Sequence, residues 1–191
     1  MVISIENRAK LLPFSEVGVR QTMRLEATAS AIDGESLKFA FAVDCNLDGL
    51  VIPPPRPKRR TSRLWEHTCF EAFIRFDGEP SYFEFNFSPS GEWAAYSFRG
   101  YRDGGPFDDE GLSPEIVIGC APNRIALDAV VRMDRLPVFR PGARLRLGLS
   151  AVIEDNDGKL SYWALKHPAD KPDFHHPDSF ALELALPQRS A

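Results

Sequence analysis

The feature that most constrains this chain is an apolar–polar alternation of period two that recurs along most of its length. Val19, Met23, Leu25 and Ala27 alternate with Arg20, Thr22, Arg24 and Glu26. Leu37, Phe39, Phe41 and Val43 repeat the pattern, and so do Ile125, Leu127, Ala129, Val131 and Met133. Leu145, Leu147, Leu149, Ala151 and Ile153 follow, and Phe180, Leu182, Leu184 and Leu186 close the series. Successive side chains of a strand point to opposite faces, so each run reads as a strand with one buried face. Turn-forming Gly, Pro, Asn and Asp bound the runs, and no convincing apolar stripe has helical spacing. The pattern predicts an all-β sandwich of jelly-roll or immunoglobulin-like topology. A chain of 191 residues suits a single domain over 1–191, large enough to bury a core without staples.

Composition narrows the partners. The net charge is −4, which gives no electrostatic footprint for nucleic acid. No run of about 18 apolar residues marks a membrane span. The start, MVISIENRAKLLPF, lacks the basic and apolar regions of a signal peptide, and a cytoplasmic location is expected. Cys45, Cys69 and Cys120 include no CxxC pair and read as reduced, buried thiols. The oligomeric state is open. The segment IPPPRPKRRTSR (52–63) is too proline-rich for a sheet interior. It reads as a solvated, partly polyproline loop, with a basic docking loop as the alternative.

The region 68–99 takes a register that matches apolar to apolar. Pairing Phe76 with Phe83, Ile74 with Phe85 and Ala72 with Phe87 leaves Arg75 opposite Glu84, Phe73 opposite Asn86 and Glu71 opposite Ser88. Pairing Phe87 with Ala94, Phe85 with Tyr96 and Phe83 with Phe98 sets Trp93 beside Ser88 on the polar face. In the hairpin around EDNDGK, matching Ile153 to Leu160 and Ala151 to Tyr162 raises Trp163 from a floor of small residues. A face carrying carboxylates, an amide and indoles suits a sugar. Indoles cover the apolar C–H patches, and carboxylates accept from the rim hydroxyls. The plainer alternative is a wet face with a Glu84–Arg75 ion pair, where Trp65 or Trp93 caps the core edge.

LWEHTCFEAFIRF, YFEFNFSPSGEWAAYSF and SYWALKHPADKPDFHHPDSFAL resemble the DOMON-like proteins related to family 9 carbohydrate-binding modules. The resemblance spans roughly residues 15–187. It implies a β-sandwich that holds a saccharide between two tryptophans without catalysis. By motif, Trp65 is the first stacking residue, Glu71 a hydroxyl acceptor and Asn86 the family's asparagine. Trp163 is the second clamp, with Lys166 and His167 in reach of the same end. Glu84 stands where those modules carry Arg, which leaves the identity of the sugar open.

Other constellations keep their alternatives. His167, His175 and His176 with Asp170, Asp173 and Asp178 form a patch that could hold zinc, but the spacing fits no recognised pattern. Asp108, Asp109 and Glu110 could hold Ca²⁺, though a solvated turn is the simpler reading. Met23 and Met133 could serve a haem-binding DOMON module, but their apolar strand positions suggest core packing. Glu71 and Glu84 could act as acid and base on a sugar-like compound, the enzymatic alternative.

Overall fold

The computed structural model describes residues 6–15 and 22–188. Val19 and Arg20 of the first alternating run lie outside the described residues. Among the described residues, twelve strands form two layers: β1 (Glu6–Pro13), β2 (Arg24–Ala31), β3 (Ser36–Asp44), β4 (Cys69–Phe76), β5 (Tyr82–Phe87), β6 (Trp93–Gly100), β7 (Asp103–Pro106), β8 (Glu115–Ala121), β9 (Arg124–Arg132), β10 (Arg144–Glu154), β11 (Leu160–Ala164) and β12 (Leu182–Ala185). The back sheet runs β1-β2-β3-β9-β8 and the front sheet β7-β6-β5-β4-β10, all antiparallel. β10 pairs β12 along its first half and β11 along its second. β1 joins the layers, pairing β2 through Glu6–Leu11 and β11 through Leu12 and Pro13. The architecture is the all-β sandwich expected from the alternation.

The alternating runs turn their apolar sets toward the other layer, except for Phe180, which lies before β12 and packs on the outer face of the front sheet. Phe39 and Phe41 of β3 and Leu127 of β9 face Phe70, Ile74, Phe85, Phe87 and Leu147 of the front sheet in one buried core. Phe41 and Phe70 stack across the interface at 5.1 Å. Met23 and Met133 are part of this core. Cys45 and Cys69 are buried, but Cys120 on β8 is exposed, a correction to the expectation of three buried thiols.

Two hairpins pair in a different register from the expected one, for the same reason. Ser88 N–H donates to the Glu92 carbonyl and Gly91 N–H to the Ser88 carbonyl, with Gly91 at φ +89°. Asp155, Gly158 and Lys159 repeat this arrangement, with Gly158 at φ +75°. A glycine in the left-handed region after a turn adds one residue to the loop as a bulge. The added residue flips every later side chain. Trp93 therefore pairs with Phe87, and Trp163 with Ala151. Both indoles face the core, and Tyr96, Phe98 and Tyr162 take the outer face. Between β4 and β5 the parity is as expected, but the pairing is shifted by two residues. Glu71 opposes Asn86, and Phe73 opposes Glu84.

Two segments bring residues onto the outer face of the front sheet. The segment 52–63 is tied down rather than free. Arg59 Nε and Thr61 Oγ1 donate to Glu92 Oε1 at 2.7 and 3.0 Å, and the Arg60 guanidinium lies 4.7 Å over Trp93. This anchorage delivers the turn Leu64–Glu66 to the sheet, where Leu64 packs with Cys69, Ala94 and Tyr96. The segment 166–181 crosses the other side. Phe180 packs on Phe73 and Tyr82, and the Arg75 guanidinium covers it at 4.9 Å. Gly148 makes room for this crossing, because a Cβ there would meet the Ser179 carbonyl oxygen at 3.3 Å.

Candidate ligand-binding site

Between these loops the front sheet opens into a cavity of about 570 Å³. Its floor follows strand order: Tyr96 and Phe98 from β6, Glu84 from β5, Glu71 from β4, Val152 from β10, then Leu160 and Tyr162 from β11. Trp65 and Glu66 arrive from the Leu64–Glu66 turn, Arg102 from the β6–β7 turn, and Pro172, Phe174 and His175 from the late loop. Trp65 meets Tyr96 edge-on at 5.6 Å and remains 39% exposed. Tyr162 and Phe174 meet at 6.2 Å.

The floor holds two acids with few donors. Glu71 is 3% exposed and accepts from Ser150 Oγ at 3.3 Å. Glu84 is 6% exposed and accepts from Asn86 Nδ2 at 2.8 Å. Burial, and next the neighbouring Glu84 charge, push the Glu71 carboxyl well above the usual range. Burial raises Glu84 to about 7, against the opposing pull of the Asn86 bond and the Arg102 charge. Loss of hydration disfavours the ionised form, and two adjacent carboxylates disfavour it further. The carboxamide Oδ1 of Asn86 is buried and has no hydrogen-bond partner.

His175 stands against this pair, with Nε2 3.5 Å from Glu84 Oε2. Burial and then the Arg102 charge lower it to about 4. At neutral pH this contact is thus no ion pair. The Tyr82 hydroxyl accepts the Arg102 N–H at 3.1 Å and lies 2.9 Å from His175 Nδ1. With that hydroxyl donating to Nδ1, the ring proton sits on Nε2, facing Glu84. Arg102 itself is committed to Asp173, donating from Nη2 at 2.8 Å, and Tyr101 Oη donates to the same carboxylate at 2.6 Å. Burial would raise Asp173, but these two bonds hold it below the usual range.

The residues expected from sequence separate into groups. Trp65, Glu71 and Glu84 line the cavity. Asn86 is fully buried and orients Glu84 instead of lining the cavity. Trp163 does not face Trp65, which corrects the expected clamp. It is 2% exposed in the inter-sheet core, where Nε1 donates to Ser161 Oγ at 3.1 Å. Lys166 is exposed, and His167 donates from Nε2 to the Leu12 carbonyl at 2.8 Å. Neither lines the cavity. Tyr96, Phe98, Arg102, Tyr162 and Phe174 went unanticipated. The bulge glycines were the signal for the tyrosines and for Phe98, while nothing in YRDGG points to Arg102.

The histidine-rich patch disperses. His176 Nδ1 accepts from the Asp178 N–H, Asp173 serves Arg102, and His175 lies in the cavity. Asp108 and Asp109 accept from Arg60 and Arg135. Among the described residues, no group of three or more His, Cys, Asp or Glu side chains is arranged to hold a metal ion. No helix among them is long and apolar enough to cross a membrane.

No protein-family model matches the chain, and no curated protein matches it in sequence. Solved structures do match it in fold. A Bacteroides uniformis protein proposed to bind carbohydrate superposes with a TM-score of 0.67 at 14% identity, over 94% of this chain and 85% of its own. A family 9 carbohydrate-binding module from Caldicellulosiruptor kristjanssonii, in complex with glucose, matches with a TM-score of 0.55 at 14% identity. That match covers 91% of this chain and 81% of the module. The cellotriose complex of such a module from the same organism gives 0.55 at 13% identity, over 91% and 80%. The chain thus shares the fold of family 9 carbohydrate-binding modules.

Proposed function

We propose that the cavity binds a saccharide without turning it over. One observation carries the reading: two buried carboxyl groups, Glu71 and Glu84, lie on the floor of one cavity beneath Trp65, Tyr162 and Phe174. Aromatic rings suit the C–H faces of a pyranose, and buried acceptors penalise ligands that lack hydroxyls. The saccharide complexes named among the fold neighbours support this reading. Trp65 stacks, Glu71 and Glu84 bond hydroxyls, and Asn86 orients Glu84. We also read the chain as a DOMON-like relative of these modules, folded as one domain over 1–191.

Of the three tryptophans, Trp65 lines the cavity, while Trp93 and Trp163 lie in the core. Calorimetry against mono- and oligosaccharides is expected to find at least one ligand, and that ligand should shift the Trp65 emission. Trp65→Ala should weaken its affinity about tenfold or more. No heat and no fluorescence change with any sugar would sink the proposal.

A second reading rests on Glu84, whose carboxyl at about 7 sits beside a second raised acid, as in a general acid–base pair. Turnover of aryl glycosides, lost in Glu71→Gln, would favour an enzyme. Absence of turnover by a protein that binds the parent sugar would leave the binding reading in place.

A further inference from the structure

We infer that the ligand is a sugar bearing a protonated amine, with the ammonium seated between Glu71 and Glu84. This rests on the saccharide reading of the same cavity and narrows it.

The first ground is the charge inventory of the cavity. Glu66 is paired with Arg63, outside the lining. Arg102 does face the cavity, but its guanidinium holds Asp173. His175 is neutral, since burial keeps it near 4. The Arg102 charge reaches both floor acids, yet its guanidinium is bonded to Asp173 and to neither of them. In the described structure Glu71 accepts one bond, from Ser150, and Glu84 accepts one from Asn86 and has the long contact to His175. A carboxylate has about four acceptor positions. Around the two acids, acceptor positions outnumber the donors that reach them.

The second ground is register. Glu71 opposes Asn86 across β4–β5, and Glu84 lies two residues from Asn86 on the same strand face. The two acids are thus diagonal neighbours on one floor, close enough for the Glu84 charge to act on Glu71. An ammonium has three N–H donors and one positive charge, which answers both deficits at once.

The third ground is the walls. The rings of Trp65 and Phe174 come from the loops, and those of Tyr96 and Tyr162 flank the two acids on the floor. Aromatic faces attract cations and cover the apolar faces of a sugar ring, so amine and pyranose are served by one enclosure. In the free protein, burial raises both carboxyls, and the Glu84 charge raises Glu71 further. An ammonium between them relieves that repulsion, and little is lost in ionising Glu84 near pH 7.

Calorimetry at pH 7 with three probes tests this: glucosamine, glucose and N-acetylglucosamine. Glucosamine is expected to bind at least tenfold more tightly than either neutral sugar. The ratio should fall toward one in Glu84→Gln and in Glu71→Gln, each shown to be folded by its unfolding transition. Equal affinity for all three probes overturns the ammonium inference and leaves saccharide binding standing. Tightest binding by N-acetylglucosamine also overturns it, because the extra bulk rather than the charge is then recognised. Failure of all three, with no other sugar binding, overturns both readings.

Discussion

Replacing Trp163 with alanine is expected to cost the fold about 3–5 kcal/mol, and Trp65→Ala about 1 kcal/mol or less. The two indoles look alike in sequence, each near a strand end and beside polar residues. The structure separates them. Trp163 fills inter-sheet space opposite Ala151 at 2% exposure, and its removal leaves a cavity that the rigid strands around it cannot close. Trp65 sits on a short turn, leans on Tyr96 and is 39% exposed. Thermal unfolding reads the difference directly, as a Tm lowered by roughly 10 °C in Trp163→Ala. The expected pattern is a double dissociation, with Trp163→Ala impairing stability and Trp65→Ala impairing binding. Equal stability losses would show that Trp65 is structural.

Glu84→Gln is expected to be more stable than the wild-type protein at pH 8, and close to it near pH 4.5. In the folded state burial holds the Glu84 carboxyl to about 7, against an ordinary value of 4.5. The folded state therefore binds a proton that the unfolded chain releases between those two pH values. Stability falls as pH rises through that window and stays lowered above it. A difference of this size corresponds to a few kcal/mol, on the order of 3, which the glutamine removes. His175 acts in the opposite sense. Its value falls from 6.5 to about 4, so it costs stability as pH drops through that range. His175 touches Glu84, so the comparison at pH 8, where the imidazole is neutral in both folded and unfolded chains, isolates the Glu84 contribution. Urea midpoints for both proteins at pH 4.5 and 8 measure the crossover. Identical midpoints at pH 8 would mean that Glu84 is ionised there without cost.

Sequence periodicity exposed the strands because burying one face of a sheet imposes a two-residue repeat on the chain. Leu37–Val43 and Leu145–Ile153 appear where the alternation placed them. β1 and β8 went unanticipated, although each is as long as several of the others, because they lie away from the strongest runs. The floor acids were legible because Glu71 and Glu84 interrupt otherwise apolar segments. The walls were not, since wall identity depends on a parity that one residue reverses. Gly91 and Gly158 each supply that residue, and Trp93 and Trp163 exchange faces with their neighbours as a result. Arg102 and Phe174 come from loops, where no repeat governs direction.

Alternation along the front strands also separates two kinds of selection. Phe70, Ala72 and Ile74 serve stability, while Glu71, between them, serves the cavity. Substitutions on the floor leave the inter-sheet volume untouched, and substitutions in the core leave the cavity lining untouched. The lining can then change while the scaffold persists. A fold shared at 14% identity shows how wide a range of sequences the scaffold accepts.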